Sequence, residues 1–312
     1  MAALAVGACS TAATPSPSSA GSSSVAVSPS AAASASAAVP PSAAASSSAA
    51  VGGAGPTCAA GSITASGSTA LQPLVDAVSK KYVAACAGST ISVQGGGSGT
   101  GLTQVLQGAV QIGDSDVTAD SKLKPDEASQ LVDHVVARQG WVMVINKGVT
   151  GVTNLTTQQA TDIWTGKVTN WRDVGGNDAA IVLIFRPASS GTRATFKKIV
   201  LGGATEATGG TTLTEDSNGA VTSAVKTTPG ATSVIGFVYF DQAKADITGL
   251  QLDGVDASVD NMKNGTYKLQ AFGHMYTKGA AADLSKAFLD YMVSPDIQNT
   301  LLPSLFYAPA GS

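Results

Sequence analysis

Three stretches of small, hydroxylated and glycine residues stand where a chain could grip an anion. They are Ser66-Gly67-Ser68-Thr69, Gly95-Gly96-Gly97-Ser98-Gly99-Thr100-Gly101 and Arg186-Pro187-Ala188-Ser189-Ser190-Gly191-Thr192. Each follows a short apolar run of strand character and precedes apolar residues at helical spacing, so each reads as a strand-to-helix turn. A helix start exposes unpaired N–H groups and about half a positive charge, glycine admits close backbone approach, and hydroxyls add donors. Any one of these turns alone reads first as an ordinary cap, because Ser and Thr begin helices everywhere. Three in one chain point to an oxyanion. The third adds Arg186, whose planar fork suits bidentate contact with a tetrahedral anion, although a surface arginine paired with an acid has the same sequence appearance. Asp116, in Ile112-Gly113-Asp114-Ser115-Asp116, sharpens the chemistry. A carboxylate repels an anion unless the anion brings a proton to donate to it. Phosphate at neutral pH does, whereas sulfate and molybdate leave lone pairs facing lone pairs. On its residue type alone, Asp116 is equally a turn or cap residue.

The elements that must hold these loops can be read from periodicity. Ser62 to Ala65 is a strand, after which Leu71, Leu74, Val75, Val78 and Tyr82 repeat at helical spacing behind Pro73. Thr90 to Gln94 is a strand followed by a helix carrying Leu102, Val105 and Leu106. Ile181 to Phe185 leads into a helix through Phe196 and Val200, a third copy of the same unit. Ile112 to Ser115, Trp141 to Ile145 and Val234 to Phe240 read as further strands, and Leu155 to Trp164 and the region around Leu284, Phe288, Tyr291 and Met292 as helices. Alternating strands and helices predict an α/β fold with largely parallel sheets, in which ligands sit at the carboxyl ends of strands.

Charge divides the 312 residues into two regimes: all 18 basic and 21 acidic residues follow position 75. Residues 10 to 56 are almost entirely Ser, Ala, Pro, Gly and Val without an aromatic, a composition that reads as a disordered tether. The remainder is long enough for one large or two small domains. A net charge of −3 argues against nucleic acid as the main partner, and no run of 18 apolar residues predicts a membrane span. Val6-Gly7-Ala8-Cys9 looks like a bacterial lipobox, with Cys9 acylated and the tether, with a reach of roughly 40 Å, holding the folded part away from the membrane. The apolar stretch before Cys9 is short and lacks a basic start, which places the expected translation start upstream of Met1. With Cys9 lipidated, Cys58 and Cys86 permit a single disulfide, the alternative being two buried thiols.

Enzyme signatures are missing. There is no G-x-x-x-x-G-K-[ST] and no G-x-S-x-G, and His134 and His274 have no metal-binding companions in sequence. No cofactor or metal is expected, and both histidines read as ordinary polar residues.

Residues 60 to 310 resemble the periplasmic phosphate-binding proteins of phosphate ABC transporters. The resemblance lies in Gly67-Ser68-Thr69-Ala70, in Gln94 through Gly101, in Asp162-Ile163-Trp164-Thr165-Gly166-Lys167 with Asn170-Trp171, in Arg186 with Ser190-Gly191-Thr192, and in Ile235-Gly236-Phe237-Val238. It implies a two-lobed periplasmic-binding-protein-like fold with two hinge crossings, near Arg138 to Trp141 and near Leu269 to Gly273. Lobe I would be 57–139 plus 273–312, and lobe II 140–272. It further implies a phosphate site of Ser68, Thr69, the amide of Ala70, Ser98, Asp116 as acceptor of the phosphate proton, Arg186, Ser190, Gly191 and Thr192. The partners it implies are inorganic phosphate and the membrane permease of an ABC transporter, for a monomeric, lipid-anchored, extracytoplasmic receptor that is not an enzyme. A receptor for another oxyanion is the first alternative, and a phosphate-ester hydrolase stands behind it. Two departures from the family matter: Ala188 stands where an acid often holds the arginine, and Ala70 replaces an aromatic.

Overall fold

The computed structural model describes residues 55–311, so Cys9 and residues 10–54, expected as anchor and tether, lie outside the described part. The chain opens with β1 (Gly61–Gly67), α1 (Gln72–Ala85), β2 (Ser89–Gln94), α2 (Ser98–Leu106), β3 (Ile112–Ser115), α3 (Pro125–Ala128) and β4 (Leu131–Asn146). Next come β5 (Asn154–Leu155), α4 (Thr157–Trp164), β6 (Val182–Phe185), α5 (Gly191–Ile199), β7 (Thr212–Thr214), α6 (Asn218–Thr227) and β8 (Ala231–Gly236). α7 (Phe237–Ala243), β9 (Ile247–Gly249), β10 (Gln251–Leu252) and α8 (Val259–Lys263) lead to β11 (Gln270–Lys278) and α9 (Asp283–Met292). The three predicted strand-loop-helix units are therefore β1 to α1, β2 to α2 and β6 to α5.

One strand organises the molecule. β4 pairs antiparallel with β11 from Leu131 to Gly140, then with β8 from Trp141 to Ile145. The path β2-β1-β3-β11-β4-β8-β6-β7 thus passes through β4 from one set of strands to the other. Two main cores follow from that change of partner. Leu71, Leu74, Val75, Val78 and Tyr82 of α1 pack with Ile63, Ile112, Phe288 and Tyr291, while Trp141 to Ile145 pack with Ile184, Phe196, Val221, Ile235 and Leu269. A third, small cluster of Leu102, Val105 and Tyr276 seats α2 against the first set. At the change of partner a side chain would obstruct: a Cβ on Gly140 would lie 2.5 Å from Cζ of Phe237.

Three sequence expectations need correction. The sheet is mixed: parallel pairs are confined to β1–β2, β1–β3, β6–β7, β6–β8 and β5–β10, because β4 and β11 run in opposite directions. The strand expected at Trp141 begins ten residues earlier, at Leu131. Its first half exposes Val132 and Val135 and lacks the alternation that marks a half-buried strand. The apolar run Val234 to Phe240 is not one strand either. It splits at Gly236, after which Phe237 opens α7. A short buried apolar run has no periodicity that tells strand from helix.

The expected Cys58–Cys86 disulfide is present, with a Cα–Cα distance of 5.2 Å. It ties the segment before β1 to the end of α1, closing a loop whose restriction in the unfolded chain contributes about 3–4 kcal/mol.

Candidate functional site

The three hydroxyl-rich turns meet beside the crossing strand. β1, β3 and α2 come from one lobe, and the β6–α5 turn from the other. Ser68, Thr69, Ser98, Asp116, Arg186, Ser190 and Thr192 are all buried, and so is Ala70. Their convergence requires glycine at position 191, where a Cβ would lie 2.7 Å from Cβ of Asp116. The lobes touch directly here: Gly99 N–H donates to the Ser189 carbonyl at 2.8 Å. Lys122, just after the turn that follows β3, donates through Nζ to the carbonyls of Ala188 (2.8 Å) and Ser190 (3.3 Å).

Asp116 is the hub. Its Oδ1 accepts from Ser68 Oγ and from Gln139 Nε2 at 3.0 Å, and its Oδ2 accepts from Thr192 Oγ1 at 3.1 Å. Its N–H donates to Ser98 Oγ at 2.9 Å. Burial pushes the carboxyl up from the ordinary range, while the bonds from Ser68, Thr192 and Gln139 and the charge of Arg186 pull it back down. The result is a buried acid held by donors from both lobes.

Arg186 faces the first lobe. Nη2 donates to Thr69 Oγ1 at 3.2 Å and to the Asp216 carbonyl at 2.8 Å, while Nε and Nη1 are buried without a hydrogen-bond partner among the described residues. Burial lowers the guanidinium's pKa, against the opposing charges of Asp116 and Asp216. The absent acid at Ala188 is thus replaced by a backbone carbonyl thirty residues on. Unpaired buried guanidinium N–H groups are costly; because Nε–H points to the Nη2 side and Nη1 lies on the Cδ side, the two are separate donors and not one bidentate pair.

The remaining predicted residues divide their roles. Ser190 Oγ caps α5 by accepting from Arg193 N at 3.2 Å, and Gly191 and Thr192 form the first turn, where helix amides lack internal partners. The Ala70 amide, expected to face a ligand, donates to Ser68 Oγ at 3.1 Å, as does the Leu71 amide. Four contributors had no signal as site residues in the sequence: Gln139, Lys122, Asn218 and Tyr239. Tyr239 donates to the Thr69 carbonyl at 2.9 Å. Ser217-Asn218 could have been recognised as a helix start from its residue types, but nothing local ties it to Thr69.

Asp114 stands two residues before Asp116. It is 1% exposed, and neither carboxyl oxygen has a partner among the described residues. Burial raises its pKa well above the carboxylate range, and the neighbouring Asp116 and Asp76 raise it further. The histidines sit away from the site: His134 bonds Thr277 and His274 bonds Asp133. Among the described residues, no group of three or more His, Cys, Asp or Glu is placed to hold a metal, and no helix is long and apolar enough to cross a membrane.

Comparison with known proteins agrees with this architecture. A family model described as a PBP superfamily domain matches residues 52–296. The phosphate-binding protein PstS of Bacillus subtilis is 45% identical over 242 residues, which cover 78% of each chain. A putative phosphate ABC transporter substrate-binding protein with bound phosphate, from Clostridium perfringens, aligns with TM-score 0.72 and 29% identity over 80% of this chain and 100% of its own. An ABC-type phosphate transport receptor from Vibrio cholerae aligns with TM-score 0.63 and 28% identity over the same shares. The chain therefore belongs to the PBP superfamily and, within it, to the family of the Bacillus phosphate-binding protein.

Proposed function

We propose that the protein is an extracytoplasmic receptor that captures inorganic phosphate between its lobes and delivers it to the permease of an ABC transporter. The observation that carries this reading is the carboxylate of Asp116, set among hydroxyls and helix starts in a site that also holds Arg186, whose Nε and Nη1 lack partners among the described residues. Donors alone would suit any oxyanion. The acid among them favours one that keeps a proton near neutral pH. Thr69, Ser98, Arg186 and the α5 start at Gly191 and Thr192 supply donors to the phosphate oxygens, with Ser68, Ala70 and Ser190 shaping the turns that present them. Binding is non-covalent, and the protein acts as a monomer without catalysis.

In this reading lobe I comprises 57–139 plus 273–312 and lobe II comprises 140–272, with β4 and β11 as the crossings. The separate cores on either side of Gly140 support it. Acylation of Cys9 would anchor the receptor to the membrane. Isothermal titration tests the ligand: phosphate should bind tightly in the presence of excess sulfate. Asp116→Asn should narrow the preference for phosphate over sulfate by roughly 10-fold or more, as expected when an acceptor facing the ligand's proton is lost. Comparable phosphate and sulfate affinity in the unaltered protein would refute the reading.

A further inference from the structure

Three N–H donors converge on Thr69 Oγ1 and compete for its lone pairs: Asn218 Nδ2 at 2.9 Å, Asn218 N at 3.2 Å and Arg186 Nη2 at 3.2 Å. A hydroxyl oxygen offers two lone pairs and one hydrogen. With three donors converging on the oxygen, its own hydrogen is left a single role, donation to an acceptor at the site. The orientation of Asn218 is itself determined. Gly236 N–H donates to Oδ1 at 3.0 Å, and the reversed amide would set NH₂ against that N–H. Asn218 is 0% exposed, and Ser217 caps its helix by accepting from Ala220 N.

We infer that Asn218 is a positioning residue for anion binding, one that holds the Thr69 hydroxyl as an obligate donor. The site then favours an anion presenting an unprotonated oxygen to Thr69, complementing Asp116, which takes the protonated one. Asn218 also joins the lobes, since α6 and β8 belong to the second and Thr69 to the first. Together with the Asp216 carbonyl on Arg186, the short segment 216–218 orients both the threonine and the arginine, work that no acid at position 188 can do in this chain. The inference rests on the reading of the site as a phosphate receptor.

A bland alternative would have Asn218 merely fastening α6 to β8. A double-mutant cycle separates the two, because a residue acting through the Thr69 hydroxyl has nothing to act on once that hydroxyl is gone. Phosphate affinity would be measured by isothermal titration for the unaltered protein, Thr69→Val, Asn218→Ala and the double variant, with circular dichroism confirming that each is folded. Asn218→Ala should weaken phosphate binding roughly 10- to 50-fold beside Thr69 but less than about twofold beside the valine. Asn218→Asp serves as a second variant that keeps the acceptor for Gly236 N–H. By drawing the Thr69 hydrogen onto the new carboxylate it should weaken binding more than alanine does, and its loss should shrink at least about fivefold in the Thr69→Val background. Equal losses in both backgrounds, or no loss from either substitution, would overturn the inference while leaving the receptor reading intact. Failure of the unaltered protein to bind phosphate would overturn both.

Discussion

Both lobes bring hydroxyls and a helix start to one site, but their charged groups differ. From the first come hydroxyls, the start of α2 and a carboxylate, and its basic contributor, Lys122, bonds backbone carbonyls of the opposite turn. From the second comes Arg186, with two buried nitrogens unpartnered among the described residues. Asp116 already accepts bonds from Ser68, Gln139 and Thr192. The carboxylate of the first lobe is thus held by donors from both lobes, and in the proposed reading it selects the anion by its proton. The second holds the buried cation with its hydrogen bonding incomplete among the described residues, and in the proposed reading it sets how strongly the anion is held.

Removing the incomplete partner should give the largest effect. Arg186→Ala should cost about 2–5 kcal/mol of phosphate affinity by isothermal titration, the range for truncating one member of a buried, hydrogen-bonded charge pair. Unchanged affinity would show that the second lobe does not supply the holding charge. A smaller effect should come from the contact between the lobes. Lys122→Met keeps the stem but removes both bonds to Ala188 and Ser190, and should weaken binding by about 1–2 kcal/mol. In stopped-flow measurements that loss should appear chiefly as faster phosphate release, because affinity changes within one interface fall mostly on dissociation. A change confined to association would mean that Lys122 steers the anion rather than holding the lobes together.

The smallest effect concerns the first lobe's own stability. Asp114 is buried without a hydrogen-bond partner among the described residues, and burial raises its pKa in the folded protein above the ordinary value of 3.8. The folded protein therefore binds more protons than the unfolded chain as pH rises above about 4, and stability falls through that window. Asp114→Asn removes this dependence. It should raise the melting temperature at pH 7 by a few degrees, the shift expected of about 1 kcal/mol in a chain of this size, and the advantage should vanish near pH 4. An advantage that is the same at both pH values would show that Asp114 does not titrate on unfolding.

Much of the site could be read from local chemistry. Ser68, Thr69, Ser98, Ser190, Gly191 and Thr192 announce themselves because helix starts select hydroxyls and glycine over a few consecutive residues. Asp116 was legible as chemistry, though only the resemblance gave it a role. Lys122, Gln139 and Asn218 were not legible, because their partners lie far away in sequence: Ala188 for Lys122, Asp116 for Gln139 and Thr69 for Asn218. The fold shows the same division. Helices with clear apolar faces, such as α1 and α9, were foreseen, whereas the long β4 was seen only in its fully buried half.

By itself, the sequence determined the strand-loop-helix units, the chemistry of the three turns, the possible disulfide and the uncharged composition of the first 75 residues. These depend on neighbours within a few positions, where propensity and capping act. The tertiary structure alone decided which donors reach Asp116, that a carbonyl accepts from Arg186 where the acid is missing, and that Asn218 lies beside the Thr69 hydroxyl. Those outcomes depend on β4 leaving one sheet partner for another at Gly140, which brings residues more than a hundred positions apart within hydrogen-bond reach. No periodicity along the chain encodes such a distance.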